Sequence, residues 1–275
     1  MPALADAAEQ HLGPVTGADR CDGMATVMTG LLSPGSPGRP APAVDVDGRL
    51  LVAEIFGPMF QGEGPSAGRL AAFVRLSRCQ RACPCRDTPY TWDRTWYDLE
   101  AKSRRMAQAE VWHAVKAIDA GLVVITGGEP LRQQDRLVWL ADMCRAAGRR
   151  TEIETNGTVV PSRAIAGAAR RFNVSLNLAN SGMPTSRRLC PEAVRVLVST
   201  RKAVWKFAVT SPADLDEITE LEQRYGLAPV WVMPEGTTSG QVLHRMRELA
   251  DPVLARGWNL TPRLHTLLGE DARGR

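Results

Sequence analysis

Three cysteines fall within seven residues, in the run Cys79-Gln80-Arg81-Ala82-Cys83-Pro84-Cys85. Three thiolates on one short loop can hold three irons of a [4Fe–4S] cluster and leave the fourth open to chelate a ligand. A structural zinc site is the competing reading. Zinc takes four protein ligands at such sites, and His11, His113, His244 and His265 all lie away from this loop in the chain. Further on, Gly127-Gly128-Glu129-Pro130 closes an apolar run. Two glycines let a ligand approach the backbone closely, and the amides and carbonyls at such a strand end suit a polar amino-acid moiety. Three more polar or glycine-bearing clusters follow: Glu154-Thr155-Asn156-Gly157, Asn177-Leu178-Ala179-Asn180 and Met233-Pro234-Glu235-Gly236. The other cysteines, Cys21, Cys144 and Cys190, are scattered. A cysteine cluster in a chain of this size reads as a metal site rather than a disulfide framework, and Cys144, inside a helical pattern, reads as a small core residue.

Holding those clusters together requires elements that end on one side. Positions 51–56 and 71–76 read as short strands. Position 106 opens a helix to 120, with Val111, Val115, Ile118 and Leu122 on one stripe. Strands are expected at 122–126, 152–155, 174–178, 204–209 and 230–233. Helices are expected at 133–147, 161–171, 191–199, 213–225 and 240–256. Strands alternating with helices at this spacing imply a mostly parallel sheet covered by helices. About six such units fit, short of the eight in a closed barrel, so the expected fold is α/β, a partial open (β/α)6 barrel. Ligands in such folds gather at the carboxyl ends of the strands. Each of the five clusters follows a strand and falls on that edge.

Composition bounds the rest. The chain has 275 residues, and Lys+Arg minus Asp+Glu is 34 − 30 = +4. That excess is too mild to indicate direct nucleic-acid contact. No apolar run approaches the roughly 18 residues that span a bilayer, and Met1-Pro2-Ala3-Leu4-Ala5-Asp6 lacks the basic start and apolar core of a signal peptide. A cytoplasmic enzyme is the expectation. Residues 1–48 hold 6 Pro, 7 Gly, and two Arg against six acids. Such a stretch buries too little apolar surface to offset its ordering entropy and reads as a disordered tail. The expected domain is 49–275.

The cysteine loop after one strand and Gly-Gly-Glu-Pro after the next resemble the radical S-adenosylmethionine superfamily. The flanks narrow this further. Residues Glu54-Ile55-Phe56-Gly57-Pro58-Met59-Phe60-Gln61-Gly62-Glu63-Gly64-Pro65-Ser66-Ala67-Gly68-Arg69 and Asp87-Thr88-Pro89-Tyr90-Thr91-Trp92-Asp93 resemble the 7-carboxy-7-deazaguanine synthases. Glu154-Thr155-Asn156-Gly157 and Asn259-Leu260-Thr261-Pro262-Arg263-Leu264-His265 do likewise. The resemblance runs from about residue 50 onward. It implies a barrel of the radical S-adenosylmethionine type and a lyase that contracts 6-carboxy-5,6,7,8-tetrahydropterin to 7-carboxy-7-deazaguanine with loss of ammonia, a step toward queuosine and other deazapurines. It also implies a [4Fe–4S] cluster, S-adenosylmethionine and Mg²⁺ as cofactors. The implied partners are an external electron donor of the flavodoxin kind and a second copy in a homodimer.

Carried over position by position, the resemblance implies that Cys79 and Cys83 are cluster ligands and that Thr88 binds Mg²⁺. Phe60, Gln61, Gly62, Glu63, Arg75, Thr126 and Pro262 fall where the family contacts substrate, and a guanidinium fork suits a pterin carboxylate. Gly128, Glu129, Ser175, Leu176, Asn177, Met233, Pro234, Glu235 and Gly236 fall where it contacts S-adenosylmethionine. Two departures stand out. The family's third cluster cysteine directly precedes its Asp-Thr pair; here Arg86 stands there and Cys85 precedes it. A guanidinium stays protonated and cannot ligate iron, so the third position passes to Cys85. The alternative is an impaired or non-catalytic relative that binds pterin or a partner without a stable cluster. Where the family reads Pro-Lys, this chain has Leu176-Asn177.

Overall fold

The computed structural model describes residues 48–80 and 103–269. The tail reading for residues 1–48 lies almost wholly outside them. Within them, runs rich in Val, Ile, Phe and Trp build nine strands: β1 (Leu50–Phe60), β2 (Leu70–Leu76), β3 (Arg104–Met106), β4 (Leu122–Gly127), β5 (Arg150–Thr155), β6 (Arg171–Ser175), β7 (Ala203–Val209), β8 (Val230–Pro234) and β9 (Asn259–Leu260). The helices are α1 (Gln108–Ala117), α2 (Gln134–Ala146), α3 (Arg163–Ala168), α4 (Thr185–Arg188), α5 (Pro191–Ser199), α6 (Asp214–Tyr225), α7 (Ser239–Ala255) and α8 (Leu264–Gly269). Their starts follow capping chemistry: the Ser162 hydroxyl accepts from the Ile165 amide ahead of α3, Thr238 accepts from Gln241 ahead of α7, and Pro191 opens α5.

All nine strands join one sheet in the order β3-β1-β2-β4-β5-β6-β7-β8-β9. β1 runs antiparallel to β2 and β3. From β2 through β4 to β9 every pairing is parallel. Among the described residues β3 and β9 end the sheet without pairing to each other, so the barrel is open, as expected for the radical S-adenosylmethionine type.

Side chains alternate across each strand, and this divides the sheet into two chemical surfaces. Val74, Leu76, Val123, Ile125, Ile153, Phe172, Val174, Trp205, Phe207, Val209, Val230 and Val232 face the helices, where they share one core with Val111, Leu137, Leu140, Leu197, Ile218 and Val253. Cys144 sits fully buried in that core, as its helical pattern implied. Cys190 is disulfide-bonded, which the scattered-cysteine reading did not foresee. The opposite, inner face carries Arg75, Thr126, Glu152, Glu154, Asn173, Ser175 and Lys206. Toward β1 it also carries a small apolar cluster of Ala71, Phe73, Leu122 and Val124, on which Phe56 and Met59 pack.

Several boundaries differ from expectation. β6 covers 171–175 rather than 174–178, and α3 stops at Ala168. Alternation is present in both windows, but the true strand is the one whose Phe172 and Val174 reach the helices while Asn173 turns inward; Leu176 and Leu178 are buried after the strand has ended. The helix expected from 106 begins at Gln108, because Arg104–Met106 is drawn into a short antiparallel pairing with Leu50–Val52.

Candidate active site

The carboxyl edge of the parallel strands is built by close backbone contact. Gly128 N donates to the Leu76 carbonyl and Glu129 N to the Arg78 carbonyl, both at 3.0 Å. A Cβ on Gly127, whose φ is +116°, would overlap the Leu76 backbone, and one on Gly128 would overlap the Arg78 carbonyl. The two glycines are therefore what lets the end of β4 press against the start of the cysteine loop. Glu129 brackets the next strand: its buried carboxylate accepts from the Thr155 hydroxyl and the Asn156 amide, both at 2.8 Å, and from the Leu131 amide at 3.1 Å. Asn156, so held, directs its Nδ2 toward the Cys79 Sγ at 3.8 Å. Gln80 donates to the Thr158 hydroxyl at 2.8 Å and fixes the loop from its other side. Three segments that the sequence sets far apart thus meet at one thiol.

That thiol is partly exposed at the strand edge, and an amide N–H directed at sulfur suits an iron–sulfur ligand. Cys83, Cys85, Arg86 and Thr88, the remaining expected cluster and Mg²⁺ residues, lie outside the described residues. Among the described residues no group of three His, Cys, Asp or Glu side chains could hold a metal ion.

Deeper on the inner face lies a charged network. Lys206, at the centre of β7, is 1% exposed, with its Nζ 2.7 Å from Glu154 Oε2 and 3.0 Å from Glu63 Oε2. Glu154 Oε1 accepts from Gln61 Nε2 at 3.0 Å and from Asn173 Nδ2 at 2.9 Å. Arg263 Nε and His265 Nε2 stand 3.7 and 3.9 Å from Glu63 Oε1. Below, Glu152 accepts from Ser66 Oγ at 2.7 Å, Arg171 at 3.0 Å and Asn173 at 3.0 Å. The burial of Lys206, Glu154 and Glu152 is tolerable because each is paired and hydrogen-bonded.

The same geometry sets the protonation states. Burial pushes the Glu63 carboxyl up, but Lys206, then His265 and Arg263, outweigh it and bring its pKa down to about 2. At Glu154 burial prevails: its pKa is raised despite Lys206, and the neighbouring Glu63 charge adds to the rise. For Lys206 burial favours the neutral amine, yet the two carboxylates overcome it and hold the ammonium charged.

The expected site residues divide among these places. Arg75 and Thr126 pair in register on β2 and β4. The Arg75 Nε bonds Glu54 at 2.5 Å, and its guanidinium lies 5.3 Å over the Phe56 ring. Gln61, Gly62 and Glu63 sit in the loop from 61 to 69, which enters from the amino ends of the parallel strands and forms the floor of the inner face. Phe60, next to them, is half exposed at the end of β1. Pro262 belongs to a segment that crosses to this floor: Gly64 N donates to the Thr261 hydroxyl, and Leu264 N to the Gly62 carbonyl, both at 2.9 Å. The Met233–Gly236 turn joins the same segment, with Gly236 accepting from Arg263 at 2.9 Å. Ser175 pairs in register with Lys206. The Asn177 carbonyl accepts from Arg188 at 3.1 Å. Leu176 turns its side chain into the helix-side core, leaving its backbone for the edge. Lys206, Asn173 and Glu152 are the inner-face residues that sequence reasoning did not single out; Asn156 stood in one of the quoted strand-end clusters. For Lys206 a signal existed: a lysine at the centre of Ala203-Val204-Trp205-Lys206-Phe207 must find a buried partner.

Comparison with known proteins bears on this arrangement. The chain is 34% identical over 230 residues to the 7-carboxy-7-deazaguanine synthase of Pyrobaculum aerophilum, covering 82% of this chain and 98% of that protein. It is 34% identical over 248 residues to the synthase of Halobacterium salinarum, covering 81% and 91%. Among solved structures, QueE from Escherichia coli matches with a TM-score of 0.60 at 24% identity, over 79% of this chain and 95% of that one. SuiB from Streptococcus suis, bound to its precursor peptide SuiA, matches with a TM-score of 0.51 at 14% identity, over 73% and 50%. These two likenesses establish the fold. No family model matches the chain. With 34% identity over more than four fifths of its own length and over 98% and 91% of those two relatives, the chain belongs to the 7-carboxy-7-deazaguanine synthase family.

Proposed function

We propose that this chain is a radical S-adenosylmethionine lyase that contracts 6-carboxy-5,6,7,8-tetrahydropterin to 7-carboxy-7-deazaguanine and releases ammonia. The observation that carries this reading is the inner face itself. It offers a guanidinium, a hydroxyl and an ionised carboxylate to a small bicyclic ligand rich in donors and bearing one carboxylate. Arg75 suits the substrate carboxylate, Thr126 beside it a ring heteroatom, and Glu63 the ring N–H donors. The 261–265 segment closes over the Gln61–Glu63 floor and keeps water from the ligand.

Cys79, with Cys83 and Cys85, would hold the [4Fe–4S] cluster at the carboxyl edge. Gly128 and Glu129, 175–177 and 233–236 would hold S-adenosylmethionine beside it. When bound, these groups supply the one-electron chemistry that starts the rearrangement. Thr88 would give an oxygen ligand to Mg²⁺ near the substrate carboxylate. We further assign a flavodoxin-like external donor, a homodimeric state and a cytoplasmic setting, without direct contact to nucleic acid. No helix among the described residues is long and apolar enough to cross a membrane.

The test is anaerobic reconstitution, followed by iron and sulfide analysis and an assay for reductant-dependent loss of the tetrahydropterin. One cluster per chain with turnover supports the reading. A fully reconstituted sample without turnover ends it. Absence of a cluster that Arg86→Cys restores favours the non-catalytic relative instead.

A further inference from the structure

Lys206 does more than neutralise two acids. Its Nζ bridges Glu154 on β5 and Glu63 in the 61–69 loop, residues 52 and 143 positions away in the chain. Its stem lies directly under Gly64: a Cβ there would stand 3.1 Å from Lys206 Cδ, at a residue whose φ is +66°. Glu154 in turn takes the Gln61 amide. Lys206 therefore touches or controls three points of the turn, at Gln61, Glu63 and Gly64. The same turn receives the C-terminal segment through Gly64 to Thr261 and Leu264 to Gly62. Gly62 is packed so closely that a Cβ would overlap the His265 imidazole.

We propose that Lys206 is a positioning residue for the substrate: by joining Glu154 to Glu63 it fixes the Gln61–Gly64 floor and, through it, the 261–265 segment bonded to that floor. This rests on the substrate reading above and deepens it. A second anchor, Ser66 on Glu152 with Arg171, holds the far end of the loop. Loss of Lys206 therefore frees the turn locally and leaves the loop attached.

Lys206→Met alone leaves two buried carboxylates without their cation and can fail to fold. The decisive variant is the charge-balanced K206M/E154Q, with E154Q as its partner control. Two measurements are made on the full-length protein after anaerobic reconstitution. In amide hydrogen exchange, Gly64 and Leu264 in K206M/E154Q exchange at least tenfold faster than in wild type, while β4 and α2 amides are unchanged. In fluorescence titration with 6-carboxypterin, a fluorescent oxidised pterin, the Kd rises at least tenfold. In reconstituted enzyme the same change appears as a raised KM with a much smaller change in kcat, a split that a general loss of stability does not produce. A folded K206M/E154Q whose exchange or pterin affinity stays within twofold of wild type overturns the proposal. A wild-type chain that binds no pterin overturns the substrate reading and the inference with it; the exchange experiment needs no ligand and separates that failure from an error about Lys206.

Discussion

The two faces of the sheet obey different rules, although single residues along each strand alternate between them. The helix-covered face is dry and aliphatic or aromatic, and its buried residues form one continuous core. The inner face buries Glu152, Asn173 and Lys206 almost as completely, yet stabilises them only by pairing. Burial of apolar surface contributes roughly 25 cal/mol per Å² with no demand on direction. A buried ion pair roughly breaks even against its desolvation and demands geometry. One face therefore holds the fold together, and the other gives up stability for a fixed arrangement of charge. The split makes separable predictions.

The largest effect belongs to the helix-covered face. Phe207→Ala removes a fully buried aromatic from β7, an interior strand of the sheet, and is expected to cost about 3–5 kcal/mol in denaturant unfolding. Activity per folded molecule stays close to wild type when assayed below the transition. Next comes Arg75→Gln on the inner face. Losing the proposed pairing of this guanidinium with a substrate carboxylate costs about 2–5 kcal/mol of binding, roughly 30- to 5,000-fold in kcat/KM. Stability should move by less than about 1 kcal/mol, since the pair with Glu54 is partly exposed. If Arg75→Gln unfolds the protein while Phe207→Ala does not, the division between the faces is wrong.

A smaller, pH-gated effect tests the charged floor. Glu63 has its pKa lowered from 4.5 to about 2 by Lys206, His265 and Arg263 against its burial. The folded state therefore binds this proton less tightly than the unfolded chain. Its stabilisation is fully present above about pH 4.5 and is lost as pH falls toward 2. Glu154, raised by burial and by Glu63, acts in the opposite sense: it costs stability as pH rises through its folded pKa. The stability gap between wild type and Glu63→Gln, read from urea midpoints, should be widest near neutrality and narrow as pH falls from about 4.5 toward 2. A gap that grows on acidification contradicts the assigned charge on Glu63.

How much of this was legible follows from how local each signal is. Strand–helix alternation and the shared carboxyl edge of the clusters are properties of short windows, and both appear in the structure. The Gly127-Gly128 turn and the Arg75–Thr126 neighbourhood followed from residue type and from the family resemblance. The floor was only half visible. Gln61 and Glu63 stood out through the resemblance and Glu154 as the start of a strand-end cluster, but Lys206, which joins them, sits in a strand that read simply as buried. The pairing of residue 63 with 206 spans most of the domain, and no local pattern encodes it. β6 slipped by three residues because two overlapping windows alternate equally well, and only packing against the helices chooses between them. β3 is three residues long and exists through its partner β1.

The finest test uses adjacent residues of one strand. Ile153 and Glu154 are neighbours on β5, and the pleat sends them to opposite faces: Ile153 into the helix-side core, Glu154 onto Lys206. Ile153→Val deletes one buried methylene and keeps the β-branch the strand prefers, so about 1 kcal/mol of stability should be lost. Gln61, Asn173 and Lys206 hold Glu154 from the other side, so the carboxylate should not move and KM for the pterin should stay within twofold of wild type. A KM change larger than the stability change accounts for means that core packing reaches the floor through the strand backbone. The two faces would then be mechanically coupled and no longer independent.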